Sequence, residues 1–168
     1  MQTYSGVNMK LKELPPIGII HSPYKEQKGV SVQSVFSEDV AAEIEVYSEF
    51  QQGLKDLDGF SHIILLYNFH KSKGYSLLCR PFLDNEERGL FSTRAPKRPN
   101  PIGLSIVELL KIEKNIITIG SPDMLDDTPL LDIKPYIDVF DIRKNVRNGW
   151  YATAKNKNQI KADERFID

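Results

Sequence analysis

The stretch Phe91-Ser-Thr-Arg-Ala-Pro-Lys-Arg-Pro-Asn-Pro-Ile-Gly103 places Arg94, Lys97 and Arg98 within five residues, with Pro96, Pro99 and Pro101 among and after them. Proline fixes φ and lacks an N–H, so this stretch is neither a helix interior nor a central strand. The spacing predicts a stiff, exposed loop. Its cationic donors would meet an anionic or planar partner with little ordering entropy left to lose. A solvated proline-rich turn is the plainer alternative.

Other chemistries are poorly supplied. His21, His62 and His70 form no i, i+4 pair and have only Cys79 for company, so no zinc spacing arises and no metal is expected. Asp126-Asp127 is a weak divalent-cation candidate. There is no Gly-x-Ser-x-Gly elbow, and Cys79 falls in an expected strand. No Gly-x-Gly-x-x-Gly or phosphate-binding Gly-Lys-Ser/Thr loop is present, which argues against a Rossmann site. Three polar segments stand out. Asp126-Asp-Thr-Pro129 is a turn richer in polar groups than a turn needs. Asp132 and Lys134 share one face of a short strand and can pair across it. Leu57-Asp-Gly-Phe-Ser-His62 turns at Asp58-Gly59 and enters an apolar strand, where His62 reads as structural.

The elements that must position these groups are mostly strands. Ile17–Ile20, the alternating Ala42–Val46, His62–Phe69, the weaker Leu77–Pro81, Ile102–Lys111, Ile116–Ile119 and Leu130–Lys134 all read as strands. Glu113-Lys114-Asn115 reads as a hairpin turn. Tyr24–Ser37 is expected to be a long loop of the kind that carries function. Ser48 is expected to cap a short helix with Phe50, Leu54 and Leu57 on its apolar face. Ile142–Lys155 has helical character weakened by Gly149. The sum is a mainly β, small single-domain barrel with short peripheral helices. Residues 1–14 are expected to be a flexible lead-in, 15–140 the barrel and 141–168 a basic helical tail.

Bulk numbers agree with one soluble domain. The chain has 168 residues, 40% hydrophobic and 27% charged, with a net charge of −1. A globally basic nucleic-acid coat is excluded. Charge is nonetheless segregated: Glu38 to Asp58 is acidic, and Lys134 to Arg165 is basic. A basic tail beside the proline-rich loop would make a local RNA footprint, whereas the plainer account is solvated surface. One cysteine allows no internal disulfide. With no signal peptide and no membrane-spanning run, a cytoplasmic location is expected.

The segments Ile17-Gly-Ile-Ile-His-Ser-Pro23, Leu57-Asp-Gly-Phe-Ser-His62, Thr93-Arg-Ala-Pro-Lys-Arg-Pro-Asn-Pro-Ile-Gly-Leu-Ser105 and Asp126-Asp-Thr-Pro-Leu-Leu-Asp-Ile-Lys-Pro-Tyr136 together resemble the TrmO (YaeB-like, TsaA-like domain) tRNA methyltransferase family, in the family's order. Lys161-Ala-Asp-Glu-Arg-Phe166 is similar to the ending of shorter, single-domain members. The resemblance implies a non-Rossmann β-barrel methyltransferase using S-adenosyl-L-methionine. It implies a homodimer with the cofactor near the subunit interface. It also implies methylation of N6 of threonylcarbamoyl-adenosine at tRNA position 37, in the anticodon loop. The family's cofactor contacts fall on Gln33, Ser34 and Val35, on His70 and Lys71, on Arg94 and Leu104, and on Asp126, Asp127, Thr128 and Pro129. The Pro-Gly that commonly follows the glutamine is Ser34-Val35 here, and the usual glycine of the last contact is Asp127, where φ > 0 would carry a cost.

On that reading Asp126 and its adjoining backbone would hold polar groups of the cofactor. Arg94 would pair with the methionyl carboxylate or position the loop. Lys97 and Arg98 would meet phosphates or the threonylcarbamoyl carboxylate. Asn100 would join them or simply fix the turn, and Tyr136 would stack on a base or belong to the core. Arg143, Lys144 and Arg147 would contact phosphates and make binding salt-dependent. No catalytic base is assigned. The alternatives are a methyltransferase of the same fold acting on another RNA or a small molecule, and a non-catalytic RNA-binding β-barrel.

Overall fold

The computed structural model describes residues 13–36, 40–154, 161–164 and 166. Most of the expected lead-in, the acids Glu38 and Asp39, and Lys155 and Arg165 of the basic tail lie outside these residues. The strands are β1 (Gly18–His21), β2 (Ala41–Val46), β3 (His62–Asn68), β4 (Leu78–Cys79), β5 (Arg88–Gly89), β6 (Ile102–Glu113), β7 (Ile116–Gly120) and β8 (Thr128–Pro135). Six of them close into an antiparallel barrel in the order β1-β2-β7-β6-β3-β8, with β8 returning to β1. Closure leaves no barrel edge unpaired. β4 and β5 form a separate two-stranded ribbon.

Alternation drives the closure. β2 reads exposed-buried throughout, with Ala42, Ile44 and Val46 inward and Glu43 and Glu45 outward. Ile20, Ile44, Ile63, Leu65, Val107, Ile117, Ile119 and Leu130 fill the interior at under 2% exposure. Burying each such side chain contributes about 1.5–3 kcal/mol. The β6–β7 hairpin turns where expected: Lys114 takes φ 57°, and Asn115 Nδ2 donates to the Val46 carbonyl at 2.9 Å, tying the tip to β2.

The first half of β6 reverses the usual pattern. Gly103 and Ser105 point inward, while Ile102, Leu104 and Ile106 are 39–44% exposed. Gly103 lies opposite Tyr67 of β3, and a Cβ there would stand 2.2 Å from the Tyr67 ring. Only glycine admits that ring to the barrel interior.

The helical parts are smaller than the sequence pattern suggests. Ser48 is the first residue of a 3₁₀ segment, Ser48–Leu54, whose N-cap is Tyr47 with no side-chain cap bond. Of the expected apolar face, Leu54 and Leu57 are buried and Phe50 is 38% exposed, because a second 3₁₀ turn, Leu57–Gly59, redirects the chain. After the one-turn helix α1 (Asp138–Asp141), Ile142 is extended. Asn145 and Gly149 take left-handed φ of 59° and 54°, so the helix expected from Ile142 onward does not form over 142–154, and among the described residues only a 3₁₀ turn, Gly149–Thr153, follows. Trp150 anchors this segment: its Nε1 donates to the Ser92 carbonyl at 2.8 Å, and the Arg88 guanidinium lies 5.8 Å over its ring. Among the described residues no helix is long and apolar enough to cross a membrane.

Candidate functional site

A cavity of about 320 Å³ opens beside β3 and the start of β6. That is within the range of small-ligand sites. The long loop supplies Val30, Val32 and Gln33, the end of β3 supplies Tyr67, Phe69, His70 and Lys71, the proline-rich loop supplies Arg94, and β6 supplies Leu104. Asp123 and Met124 come from the segment joining β7 to β8, and Thr128 opens β8. The C-terminal end closes one side. Ala162 exchanges backbone hydrogen bonds with Gly29 and Val30, and the Phe166 ring meets Phe82 edge-on at 5.0 Å.

Six of the expected cofactor contacts therefore converge: Gln33, His70, Lys71, Arg94, Leu104 and Thr128. Arg94 Nη1 donates to Gln33 Oε1, which fixes both heads at the cavity wall. His70 Nδ1 is 3.4 Å from Thr128 Oγ1. Burial, and then the neighbouring Lys71 charge, hold the His70 imidazole below its ordinary pKa, so it is neutral at pH 7. The Ser72 hydroxyl oxygen is buried in the same wall with no hydrogen-bond partner.

The remaining expected contacts stand elsewhere. Ser34 donates from Oγ to the Ile106 carbonyl at 2.6 Å, and Val35 is 79% exposed. Pro129 pairs opposite Ile19 in the barrel wall. Asp126 is buried outside the cavity lining, where it accepts the Ser22 N–H at 3.0 Å and pairs with Lys25. The Lys25 hydrogen bond, then the Ser22 N–H, hold its carboxyl below the usual range against the cost of burial. Asp127 is exposed at φ 58°, the left-handed conformation anticipated where the family has glycine. His21 Nδ1 lies 3.7 Å from Asp127 and 4.0 Å from Asp126, but the Lys25 ammonium already supplies the cation on Asp126.

The expected RNA contacts divide in the same way. Arg98 Nη1 is used within its own loop, donating to the carbonyls of Thr93 at 3.0 Å and Ala95 at 3.3 Å. Lys97 lies on a different depression, beside Cys79 and Arg80. Asn100 is exposed and its carbonyl accepts the Ile102 N–H, a turn-fixing contact. Tyr136 is half-buried with its ring edge-on to His62 at 6.3 Å. Asp132 and Lys134 pair at 2.7 Å, as their spacing predicts. Arg143, Lys144 and Arg147 are exposed, although Arg143 caps the Ile142 carbonyl at 2.9 Å.

Sequence reasoning missed Asp123, Ser105 and Tyr67. The Ser105 hydroxyl donates to Asp123 Oδ1 at 2.5 Å, and Tyr67 Oη lies 3.0 Å from Ser105 Oγ. Serine has one proton to give, so with Asp123 ionised Tyr67 donates to Ser105 and Ser105 to the carboxylate. Asp123 is half-buried by surface, but its carboxylate is enclosed by protein. That desolvation pushes its pKa up to about 6, against the opposing hydrogen bonds from Ser105 and the Ser34 N–H and the charge of Arg94. Burial, and then Asp123, push the Tyr67 phenol well above its usual range. The one available signal was polar residues at inward positions: Ser105 on β6, and an aspartate between Pro122 and Met124, both of which are buried.

A closed single-sheet barrel with a mixed apolar and polar cavity, and no nucleotide-binding βαβ unit among the described residues, defines a non-Rossmann small-ligand barrel. The tRNA-methyltransferase O N-terminal domain model matches residues 19–142, and the chain belongs to that family. It is 51% identical over 153 residues to a probable S-adenosyl-L-methionine-binding protein of Pyrococcus abyssi, covering 90% of this chain and 83% of the relative. It is 37% identical to the tRNA (adenine(37)-N6)-methyltransferase of Escherichia coli, over 72% of this chain and 56% of that protein. The crystal structure of TrmO from Pseudomonas aeruginosa superposes with a TM-score of 0.70 at 33% identity, over 83% of this chain and 62% of that one. The chain thus spans only about half the length of the Escherichia coli methyltransferase.

Proposed function

We propose that this protein is an S-adenosyl-L-methionine-dependent tRNA methyltransferase acting on N6 of adenosine 37, and that the base it takes is the threonylcarbamoyl-adenosine. The observation that carries this reading is the convergence of Gln33, His70, Arg94, Leu104 and Thr128 on one cavity. The cavity also suits the methyl donor. Phe69, Phe82 and Met124 offer apolar walls, Arg94 offers a fork for a carboxylate, and the orphaned Ser72 hydroxyl awaits a partner. When bound, the donor supplies a methyl group already activated on a sulfonium. The chain's residues then bind, orient and exclude water. Gln33 and Arg94 hold the polar end, neutral His70 accepts or donates a hydrogen bond without adding positive charge, and Leu104 with Phe69 shields the transfer.

The partners follow from the surface. The apolar row Ile102, Leu104 and Ile106 on the outer face of β6, which ends at the exposed Glu108, suits a second copy of this chain, which would close the cavity at Leu104. Lys97, Lys144 and Arg147 would meet tRNA phosphates, while Arg98 holds the proline-rich loop in shape. Such an enzyme would work in the cytoplasm. A methyltransferase of the same fold acting on another RNA or a small molecule is the second reading, because Ser34, Val35 and Asp127, where the chain departs from the family pattern, stand outside the cavity lining.

The test is transfer of labelled methyl to tRNA with and without the threonylcarbamoyl group. Transfer only to the modified tRNA is expected. Transfer to unmodified tRNA or to small metabolites alone would select the second reading. Folded protein that transfers to none would end both.

A further inference from the structure

The chain Tyr67–Ser105–Asp123 has no part in the binding roles above, yet it ends on a carboxylate in the cavity wall. Three features separate it from an ordinary buried hydrogen-bond network. Asp123 is among the residues that line the cavity, together with Arg94 and Leu104. Its donors come from two adjacent, hydrogen-bonded barrel strands, β3 and β6, so its position is set by the barrel wall and not by a loop. Its shape is defended by Gly103, since any side chain there would displace the Tyr67 ring.

We propose that Asp123 is the general base that takes the proton from the target amine during methyl transfer, with Ser105 and Tyr67 as positioning residues. This inference rests on the methyltransferase reading above. The amine is a poor nucleophile because its lone pair is delocalised into the purine and, in the modified base, into the carbamoyl group as well. Removing its proton as attack proceeds restores that electron pair. In the balanced step, the nitrogen–carbon bond forms and the carbon–sulfur bond breaks with its pair left on sulfur. The N–H pair stays on nitrogen, and the proton passes to the Asp123 carboxylate. The product then carries a neutral N-methyl nitrogen beside a neutral thioether.

Electrostatics favour this timing. Before transfer, the cation on sulfur would stabilise the ionised carboxylate; afterwards that charge is gone and the buried carboxylate binds a proton more readily. The acid therefore becomes a better proton acceptor as the methyl group moves. Tyr67 from β3, Arg94 from the proline-rich loop and the Ser34 N–H from the long loop face Asp123, and His70 and Lys71 share its cavity. Of these His70 also titrates in the acid range, its pKa being held below the ordinary 6.5.

The experiment compares wild type, Asp123→Asn and Ser105→Ala in single-turnover methyl transfer to the modified tRNA from pH 5 to 8. Calorimetry measures S-adenosyl-L-methionine affinity alongside. Wild type is expected to gain rate as pH rises through an acid limb. Asp123→Asn is expected to lose about 100-fold in rate and to flatten that limb, with donor affinity falling by no more than about 10-fold, because the carboxylate also attracts the sulfonium. Ser105→Ala removes a hydrogen bond to the ionised form, so its limb moves to higher pH. An Asp123→Asn enzyme with wild-type rate and limb overturns the proposal, and so does a fall in donor affinity as large as the fall in rate. An acid limb that survives Asp123→Asn but vanishes in His70→Gln gives the proton to His70 instead. Should Asp123→Asn not fold, an unmoved limb in Ser105→Ala is the overturning result. A wild-type enzyme inactive on both tRNAs brings down the methyltransferase reading itself, an outcome distinct from an active wild type with an indifferent Asp123 variant.

Discussion

Asp123 and Asp126 sit three residues apart in one connecting segment and have opposite fates. Asp126 is nearly covered by protein, but its charge is matched: Lys25 pairs with it and the Ser22 N–H points at it, so its pKa falls. Asp123 retains more exposed surface, yet its carboxylate has no comparable cation partner and its pKa rises to about 6. Burial alone does not decide the state of a carboxyl; the partners that burial brings with it do. A paired carboxylate is a structural staple, and an under-compensated one in a cavity is available for proton chemistry.

Four variants put that contrast to the test. The largest effect belongs to Gly103→Ala, which forces the Tyr67 ring off Ser105 and should cost about 3 kcal/mol in urea denaturation. A loss below the noise would show that the ring has room to move and that the support of Asp123 is soft. Next, Asp126→Ala strands the buried Ser22 N–H and should cost about 2 kcal/mol at pH 7. Because the folded pKa of Asp126 is depressed, its stabilisation is present above the unfolded value of 3.8 and disappears as pH falls through the folded value. Wild type and variant should therefore converge in acid, and a constant gap across pH would contradict the staple.

Asp123→Asn should do the reverse. A carboxyl raised from 3.8 to about 6 makes the folded state bind more protons than the unfolded one in that interval, so wild type loses stability as pH rises from about 4 to 6. The variant should be more stable than wild type by about 1–2 kcal/mol above pH 6 and equal to it below pH 4. Thermal melts across that range decide it, and a variant less stable at pH 7 would sink the raised pKa. The smallest change is Asp127→Gly. Relieving a left-handed aspartate should add about 0.5 kcal/mol, read as a small rise in Tm. A fall would mean that the Asp127 side chain, 3.7 Å from His21, contributes more than its backbone costs.

Much of the fold was legible because strand alternation is a local property. β2, β3, the β6–β7 hairpin and the Asp132–Lys134 pair all follow from residues within a few positions of one another. The tail misled for the same reason. Its side chains suit a helix, but left-handed turns at Asn145 and Gly149 and the docking of Trp150 on Ser92 prevail. Within the site, the family motifs led to Gln33, His70, Arg94, Leu104 and Thr128, which do converge. They also led to Asp126 and Arg98, whose polar atoms are spent on Lys25 and on loop carbonyls.

What the sequence determined by itself was the barrel, the family and the stiff cationic loop, since each depends on short-range pattern or on motif order. Which aspartate faces the cavity was decided only by closure of the barrel. β3 and β6 must lie side by side before Tyr67 can reach Ser105 across 38 residues, and the connection from β7 must return before Asp123 can meet that serine. A pKa depends on partners and solvent in three dimensions, and those are properties that neighbouring letters in a chain do not carry.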